Sequence, residues 1–373
     1  MNSRVFLLVK ITLKSQTLTR LFLCVVLLVQ PIIAFETDQY NLPAQPLADI
    51  GDEVSEYTEE NVRKATDKIN REILTRQSCL EDNAAKVKKI KCGSPEKERA
   101  RLEYLRSEAA VMRGVYNLLG AGIIPFTKSG SWMESHNFKA QPARYKTGYR
   151  KSIFVVFPTN YLTISRTVNL YGSQFGTDKI AHFFQQGYTY YKIYDRALKN
   201  GATTDEAQKK AVRWGQKTER TYYGTLVSGV YSNADLYSNY AGMKFYQGLT
   251  KPIKIGDSTR PPILILKDGI WTFNNEADLR EILIKPFLTD HLNEALNPSK
   301  FIVGLRSSVR RTVRKQSCLQ WFNLYPNLSQ TALDETMRKL KRWHGEDYGF
   351  SDSEKFVTIA NTCFGDENTA ADR

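Results

Sequence analysis

The sequence predicts a mainly α protein: a helical body with a small β-hairpin and short extended segments. Apolar residues recur at helical spacing through most of the chain, as Val62, Ile69, Ile73 and Leu74 do in EENVRKATDKINREILTRQSCL. Runs rich in β-branched and aromatic residues are confined to KSIFVVFPTNYLTISRTVNLYG and PPILILKDGIWTFNN. Apolar residues at 42% and aromatics at 12% exclude a mostly disordered chain, and the 373 residues contain no internal repeat.

Arg4, Lys10, Lys14 and Arg20 precede an apolar run from Leu21 to Ala34. This order predicts a signal peptide over 1–34, cleaved after Ala34, and hence a periplasmic or secreted protein. The alternative is an uncleaved N-terminal anchor in the inner membrane. The run falls short of the about 20 apolar residues of a spanning helix, and Gln30 and Pro31 interrupt it. Cys24 lacks the small preceding residue of a lipoprotein signal.

Residues 35–53, with NLPAQPLADIGDE, read as a linker. A helical hairpin follows over 54–119, its second helix opened by Ser94 as N-cap with Pro95 behind it. Beyond the signal, Cys79, Cys92, Cys318 and Cys363 make an even count, which in an exported chain points to two disulfides. Three connectivities exist, and nearness favours Cys79 with Cys92 and Cys318 with Cys363. No CxxC or paired Cys/His spacing marks a zinc site.

The central body spans 120–250. KSIFVVFPTNYLTISRTVNLYG predicts short strands or an extended segment, after which Thr177 can cap a helix containing Asp178 and His182. Another helix starts at Thr204, and a further one in NADLYSNYAGMKFYQGL ends before Pro252. In the C-terminal part, 251–373, PPILILKDGIWTFNN turns at Lys267–Gly269 as a β-hairpin, expected to act as a flap or lid. Helices then follow to a polar tail after Cys363.

Asp178 and His182 lie four apart and share a helix face, as do Asp235 and Asn239. Phe183, Phe184, Tyr237 and Phe245 flank them, so the polar groups are expected to be withdrawn from water, where a carboxylate needs a partner. His182 beside Asp235 or Asp178 is the natural match. Glu219 joins them only if the chain turns before Asp235, since one unbroken helix would aim the two about 160° apart. SGVYSN, at 228–233, holds residues that can make that turn.

These residues carry a resemblance. DKIAHFFQQG resembles the Asp-Lys-x-x-His-Phe opening of the VanZ-like family and of YfiM-like periplasmic lipoproteins. Asp235, Asn239 and Gly242 are similar to the second VanZ-like motif, with Glu219 where that family places a Glu. The likeness spans 178–242 and implies a shared polar constellation. VanZ-like proteins are multi-span membrane proteins, whereas KKAVRWGQKTER is too charged to span a bilayer.

Two readings of the constellation follow. In one, Asp178, His182, Glu219, Asp235 and Asn239 form a hydrogen-bonded knot that fixes helix register. In the other they are catalytic: His182 a general acid or base oriented by an Asp, Glu219 a second, Asn239 a donor. His291 and Glu294 form a second candidate, able with Asp178 and His182 to surround a metal. No HExxH-type spacing supports that, so neither metal nor cofactor is expected.

The run RSSVRRTVRK places Arg306, Arg310 and Arg314 on one stripe, with Arg311 and Lys315 beside it, as a solvated face or an anion-binding one. The net charge of +14 suits an anionic lipid surface or cell-wall polymer as partner, and an exported chain does not meet nucleic acid. The expectation is an exported bacterial cell-envelope protein, structural or binding in role; the alternative is an acid/base hydrolase or transferase on a lipid-linked or cell-wall substrate.

Overall fold

The computed structural model describes residues 36–81, 92–124, 126–274 and 278–365, so the predicted signal peptide lies outside the described residues. Helix α1 (Gly51–Leu80) buries Val54, Val62, Ala65, Ile69 and Ile73 along one stripe. Against it pack α2 (Pro95–Leu105), which starts at Ser94–Pro95 as the sequence predicts, and α3 (Glu108–Leu119). The hairpin's second arm is therefore two helices, and the Cys79–Cys92 disulfide joins its first arm to the start of the second.

Strands β1 (Gly122–Ile123) and β2 (Phe126–Thr127) lead into α4 (Lys128–Ser135), capped by the Thr127 hydroxyl, which accepts from the Gly130 N–H at 3.0 Å. The segment predicted to be extended is so only at its end. Pro158 lacks the N–H that a strand ladder needs and opens the short helix α5 (Pro158–Leu162) instead. Strands β3 (Thr167–Leu170) and β4 (Ser173–Gly176) then pair antiparallel, Val168 opposite Phe175.

From β4 the chain passes directly into α6 (Thr177–Ala181), a single π-turn (His182–Gln186) and α7 (Gly187–Lys199). Gly176, not Thr177, occupies the cap position, and the Thr177 hydroxyl donates to Glu134. Helix α8 (Thr204–Glu219) opens on a capping box of Thr203 and Glu206. A series of turns and β5 (Val230–Ser232) separate it from α9 (Asn233–Thr250), a helix buried almost throughout. The turn that Glu219 and Asp235 require is present.

Strands β6 (Ile253–Ile255) and β7 (Ser258–Arg260) form one hairpin, β8 (Leu264–Lys267) and β9 (Ile270–Phe273) the other. The second turns through Asp268 and Gly269, both at positive φ, as a two-residue hairpin loop demands. It packs against α9 as well as against the N-terminal helices. Asn70 of α1 bonds both the N–H and the carbonyl of Trp271, the Trp271 indole donates to the Leu105 carbonyl, and Arg106 donates to Gly269. The hairpin is strapped to α1 and α2.

After α10 (Leu279–Ile282), strand β10 (Ser299–Phe301) pairs antiparallel with β5 on one side and β11 (Phe356–Val357) on the other. Helix α11 (Val303–Thr312), a second π-turn (Val313–Ser317), α12 (Cys318–Leu324), α13 (Gln330–Leu340) and α14 (Ile359–Cys363) complete the chain. The Cys318–Cys363 disulfide ties α12 to α14. Both disulfides are the pairs that nearness favours.

Among the described residues two large apolar clusters form, one around α1, α3, α7 and α9 and one around α11, α12 and α14, beside a small pair of Ile124 and Ala181. Residues 36–41, read from the sequence as linker, are buried between the two large clusters. The Tyr40 hydroxyl donates to Val357, its carbonyl accepts from the Trp321 indole, and the Gln39 amide donates to Gln174. Pro and polar residues suggest a linker by composition, yet Thr37, Gln39 and Tyr40 each bond to a distant element. Among the described residues no helix is long and apolar enough to cross a membrane.

Candidate functional site

The site forms where α9 crosses the π-turn. Glycines let the two backbones meet: a Cβ on Gly242 would stand 1.9 Å from the Phe183 carbonyl oxygen, and one on Gly187 2.5 Å from the Cα of Gly242. The Tyr246 hydroxyl donates to the Phe184 carbonyl at 2.8 Å, and the Ser238 hydroxyl to the Lys179 carbonyl at 2.6 Å. This contact places the Asn239 side chain against His182, ring Nδ1 donating to the amide oxygen across 3.1 Å. Gly242 of the Asp-x3-Asn-x2-Gly pattern is thus a packing residue.

At the centre lies a residue that the sequence reading passed over. The Lys179 ammonium is fully buried and contacts Asp178 Oδ2 at 2.7 Å, Asp235 Oδ1 at 2.6 Å and Glu294 Oε1 at 2.6 Å. Asp178 Oδ1 also accepts from the Thr37 hydroxyl at 2.8 Å. His182 Nε2 faces Asp235 Oδ2 across 3.6 Å. Glu219, at the end of α8, accepts from the Ser232 N–H at 2.9 Å, while the Ser232 hydroxyl donates to Glu294 and accepts from the Asp235 N–H, both at 3.1 Å. The cap of α9 is therefore part of the cluster.

Glu36 completes the set from the N-terminal segment. It is 1% exposed, and no hydrogen-bond donor reaches either carboxylate oxygen. The nearby Ser228 hydroxyl donates instead to the Gly224 carbonyl. Burial raises the Glu36 carboxyl well above the usual carboxylate range, and the neighbouring Glu294 and Asp235 add to the shift. Burial followed by Asp235 does the same to Glu219, and burial pushes Glu294 up to about 7 against the pull of Lys179. For Lys179 burial favours the neutral amine, but Asp178, Asp235, Glu294 and Glu36 together outweigh it and hold the ammonium charged.

The five residues proposed from the sequence, Asp178, His182, Glu219, Asp235 and Asn239, all meet in this cluster. The second candidate divides. Residues 290–292 form a 3-10 turn rather than an α-helix, so His291 and Glu294 do not share a face. Glu294 turns to Lys179, whereas His291 lies between the Thr289 hydroxyl at 3.0 Å and the Arg342 carbonyl at 3.1 Å, stacked on Tyr237.

The basic run also divides. Ser307, Arg310, Arg311, Arg314 and Lys315 line a surface groove of about 430 Å³, and Arg306, half-buried a turn earlier, is not among the lining residues. The π-turn over Val313–Ser317 interrupts the regular i,i+4 stripe.

Lys179, Glu36 and Glu294's place beside Lys179 escaped the sequence reading. One signal was available for Lys179, its position next to Asp178 in a helix otherwise flanked by Ile180, Ala181 and Phe183. Glu36 and Glu294 are brought in by long-range packing that no local pattern encodes. Compared with protein-family models, curated proteins and solved structures, the chain finds no match.

Proposed function

We propose that this chain is an exported cell-envelope protein of structural or binding role, which meets phosphate groups of an anionic lipid surface or wall polymer through the groove on α11. The observation that carries the reading is the convergence of Arg310, Arg311, Arg314 and Lys315 on one surface depression. Guanidinium groups in a fixed fork suit phosphate oxygens, and basic residues near an anionic surface contribute about 1 kcal/mol each. The Cys318–Cys363 bridge holds the end of the groove-bearing helix segment, and two disulfides suit an oxidising compartment such as the periplasm.

Within this reading the buried cluster sets the fold and does not turn over substrate. His182 is 4% exposed, Asp235 1% and Lys179 not at all. Acid/base hydrolysis or transfer requires a reactant within hydrogen-bond reach of such groups, and the enclosure leaves it no approach. The residues that resemble the VanZ-like motifs meet at a helix crossing, which supports a likeness of packing rather than of membrane topology.

The test is co-sedimentation of the purified chain with phosphatidylglycerol-containing vesicles, with phosphatidylcholine vesicles and with a soluble phosphodiester polymer. The anionic probes should bind and the neutral vesicles should not. Replacing Arg311, Arg314 and Lys315 by Ala should weaken binding roughly 100-fold, about 3 kcal/mol in all. Equal binding of the triple variant would sink the reading, and the relative strength of the two anionic probes separates lipid from polymer.

A further inference from the structure

We infer that Asp178, His182 and Asp235 hold a divalent transition-metal ion inside the cluster, with the Glu36 carboxylate beside it. The three side chains are buried, and one donor atom from each lies within 4.8 Å of the others. Metal–ligand bonds of about 2.0–2.2 Å separate neighbouring donors by roughly 3–4 Å, so small side-chain movements close the site.

The orientation of His182 is the first specific observation. Its Nδ1 donates to the Asn239 amide oxygen at 3.1 Å, and its Nε2 points at Asp235 Oδ2 from 3.6 Å, beyond hydrogen-bond distance. Lys179 engages the other oxygen of Asp235, Oδ1. With the ring neutral, two lone-pair atoms face each other across that gap, an arrangement that a cation between them makes attractive. An imidazole whose second nitrogen donates to a fixed carbonyl-type oxygen is also how metal-bound histidines are oriented.

Glu36 is the second and independent observation. It is buried beside Asp235 and Glu294, and neither of its oxygens has a hydrogen-bond donor. A buried carboxyl without a hydrogen-bond partner is costly, and this one lies close enough to Asp235 and Glu294 to feel their charge. Charge agrees with geometry: Asp178, Asp235 and Glu294 all share the ammonium of Lys179. One imidazole with carboxylates suits Zn²⁺, Mn²⁺ or Fe²⁺ and, lacking thiolates, does not suit Cu⁺. Because the donors are enclosed, the ion enters as the chain folds and adds its binding energy to stability.

The test uses the purified full chain with its disulfides intact. After expression in medium supplemented with zinc, manganese and iron, elemental analysis should find roughly one equivalent of a single metal per chain. Asp235→Asn and His182→Ala should each lose it. A second measurement, independent of whether the variants fold, uses the wild type alone, unfolded in denaturant with a chelator and refolded with or without ZnCl₂, MnCl₂ or FeSO₄. One of these metals should raise the thermal midpoint by several degrees, as binding to the folded state requires.

Metal below about a tenth of an equivalent, together with a midpoint that no metal moves, would overturn the inference. So would metal that stays in folded Asp235→Asn and His182→Ala. In either case the His182–Asp235 contact belongs to the structural cluster alone. Neither result touches the groove on α11, which is tested with other residues.

Discussion

Lys179 supports the cluster more than any carboxyl group around it, because it alone separates Asp178, Asp235 and Glu294. Lys179→Met would leave buried carboxylates facing one another, and removal of one partner from a buried ion pair costs about 3–5 kcal/mol. Urea unfolding at pH 7 reads this directly, and a loss below about 1 kcal/mol would show that the carboxyls simply take up protons instead. His291 makes a different prediction, in pH. Burial, followed by the nearby His344, pushes its pKa down to about 4 from 6.5, despite the Arg342 carbonyl that favours the charged ring. Below pH 6.5 the unfolded chain takes a proton that the folded chain refuses, so this contribution is complete above 6.5 and disappears as pH falls towards 4. The shift corresponds to about 3 kcal/mol. Asp38, raised to about 6 by burial, and Glu294, raised to about 7, run the opposite way, since they hold protons the unfolded chain has released. The informative quantity is therefore the wild-type stability minus that of His291→Phe, which should fall between pH 6.5 and 4. A difference that is flat across that window refutes the assignment.

At the scale of elements, the crossing of α9 over the π-turn decides whether the cluster assembles. Gly242→Ala would drive a Cβ against the Phe183 carbonyl, 1.9 Å away, with backbone on both sides to resist it. The expected loss is at least the ~1–3 kcal/mol of an overpacked core, measured by chemical unfolding. Gly304→Ala in α11 is the control: its Cβ would meet nothing within 4 Å, and an exposed helical glycine gains about 0.5–1 kcal/mol on becoming Ala. A gain in Gly242→Ala as large as that in Gly304→Ala would mean that backbone entropy governs both and that the crossing gives way to a methyl group. Elements whose signals are local were readable from the sequence. Ser94–Pro95, Thr204 and Asp268–Gly269 mark boundaries where a cap, a fixed φ or a positive φ is required, and the structure follows each. The π-turns were not readable, because a helix adopts the wider turn to suit what crosses it and HFFQQ looks helical in isolation. Asp178, His182, Asp235 and Asn239 were found because i,i+4 spacing is local. Lys179 was missed because a lysine in a helix ordinarily reaches water.

At the scale of the whole molecule, the segment 36–42 joins the two larger apolar clusters, beside the β5–β10–β11 sheet. Its Glu36 and Thr37 enter the ionic cluster, its Gln39 amide oxygen accepts from the Glu294 N–H at 2.6 Å, and Tyr40 is fully buried in the C-terminal cluster between Trp321 and Val357. Composition could not announce this, since a short polar stretch with prolines reads as linker until its partners, more than a hundred residues away, are known. Tyr40→Ala should remove about 3–5 kcal/mol, and it should do so unevenly. The C-terminal cluster loses one of its ties to the rest, the β5–β10 pairing being another, and opens more readily, while α1, α3, α7 and α9 keep their contacts. Disulfide reduction distinguishes the two halves, because Cys318–Cys363 lies in the weakened part and Cys79–Cys92 in the other. In native buffer with dithiothreitol, the variant should reduce Cys318–Cys363 roughly 100-fold faster than wild type, with Cys79–Cys92 unchanged. Equal acceleration of both bridges would mean that the chain opens only as one unit, and that the segment stabilises both clusters together.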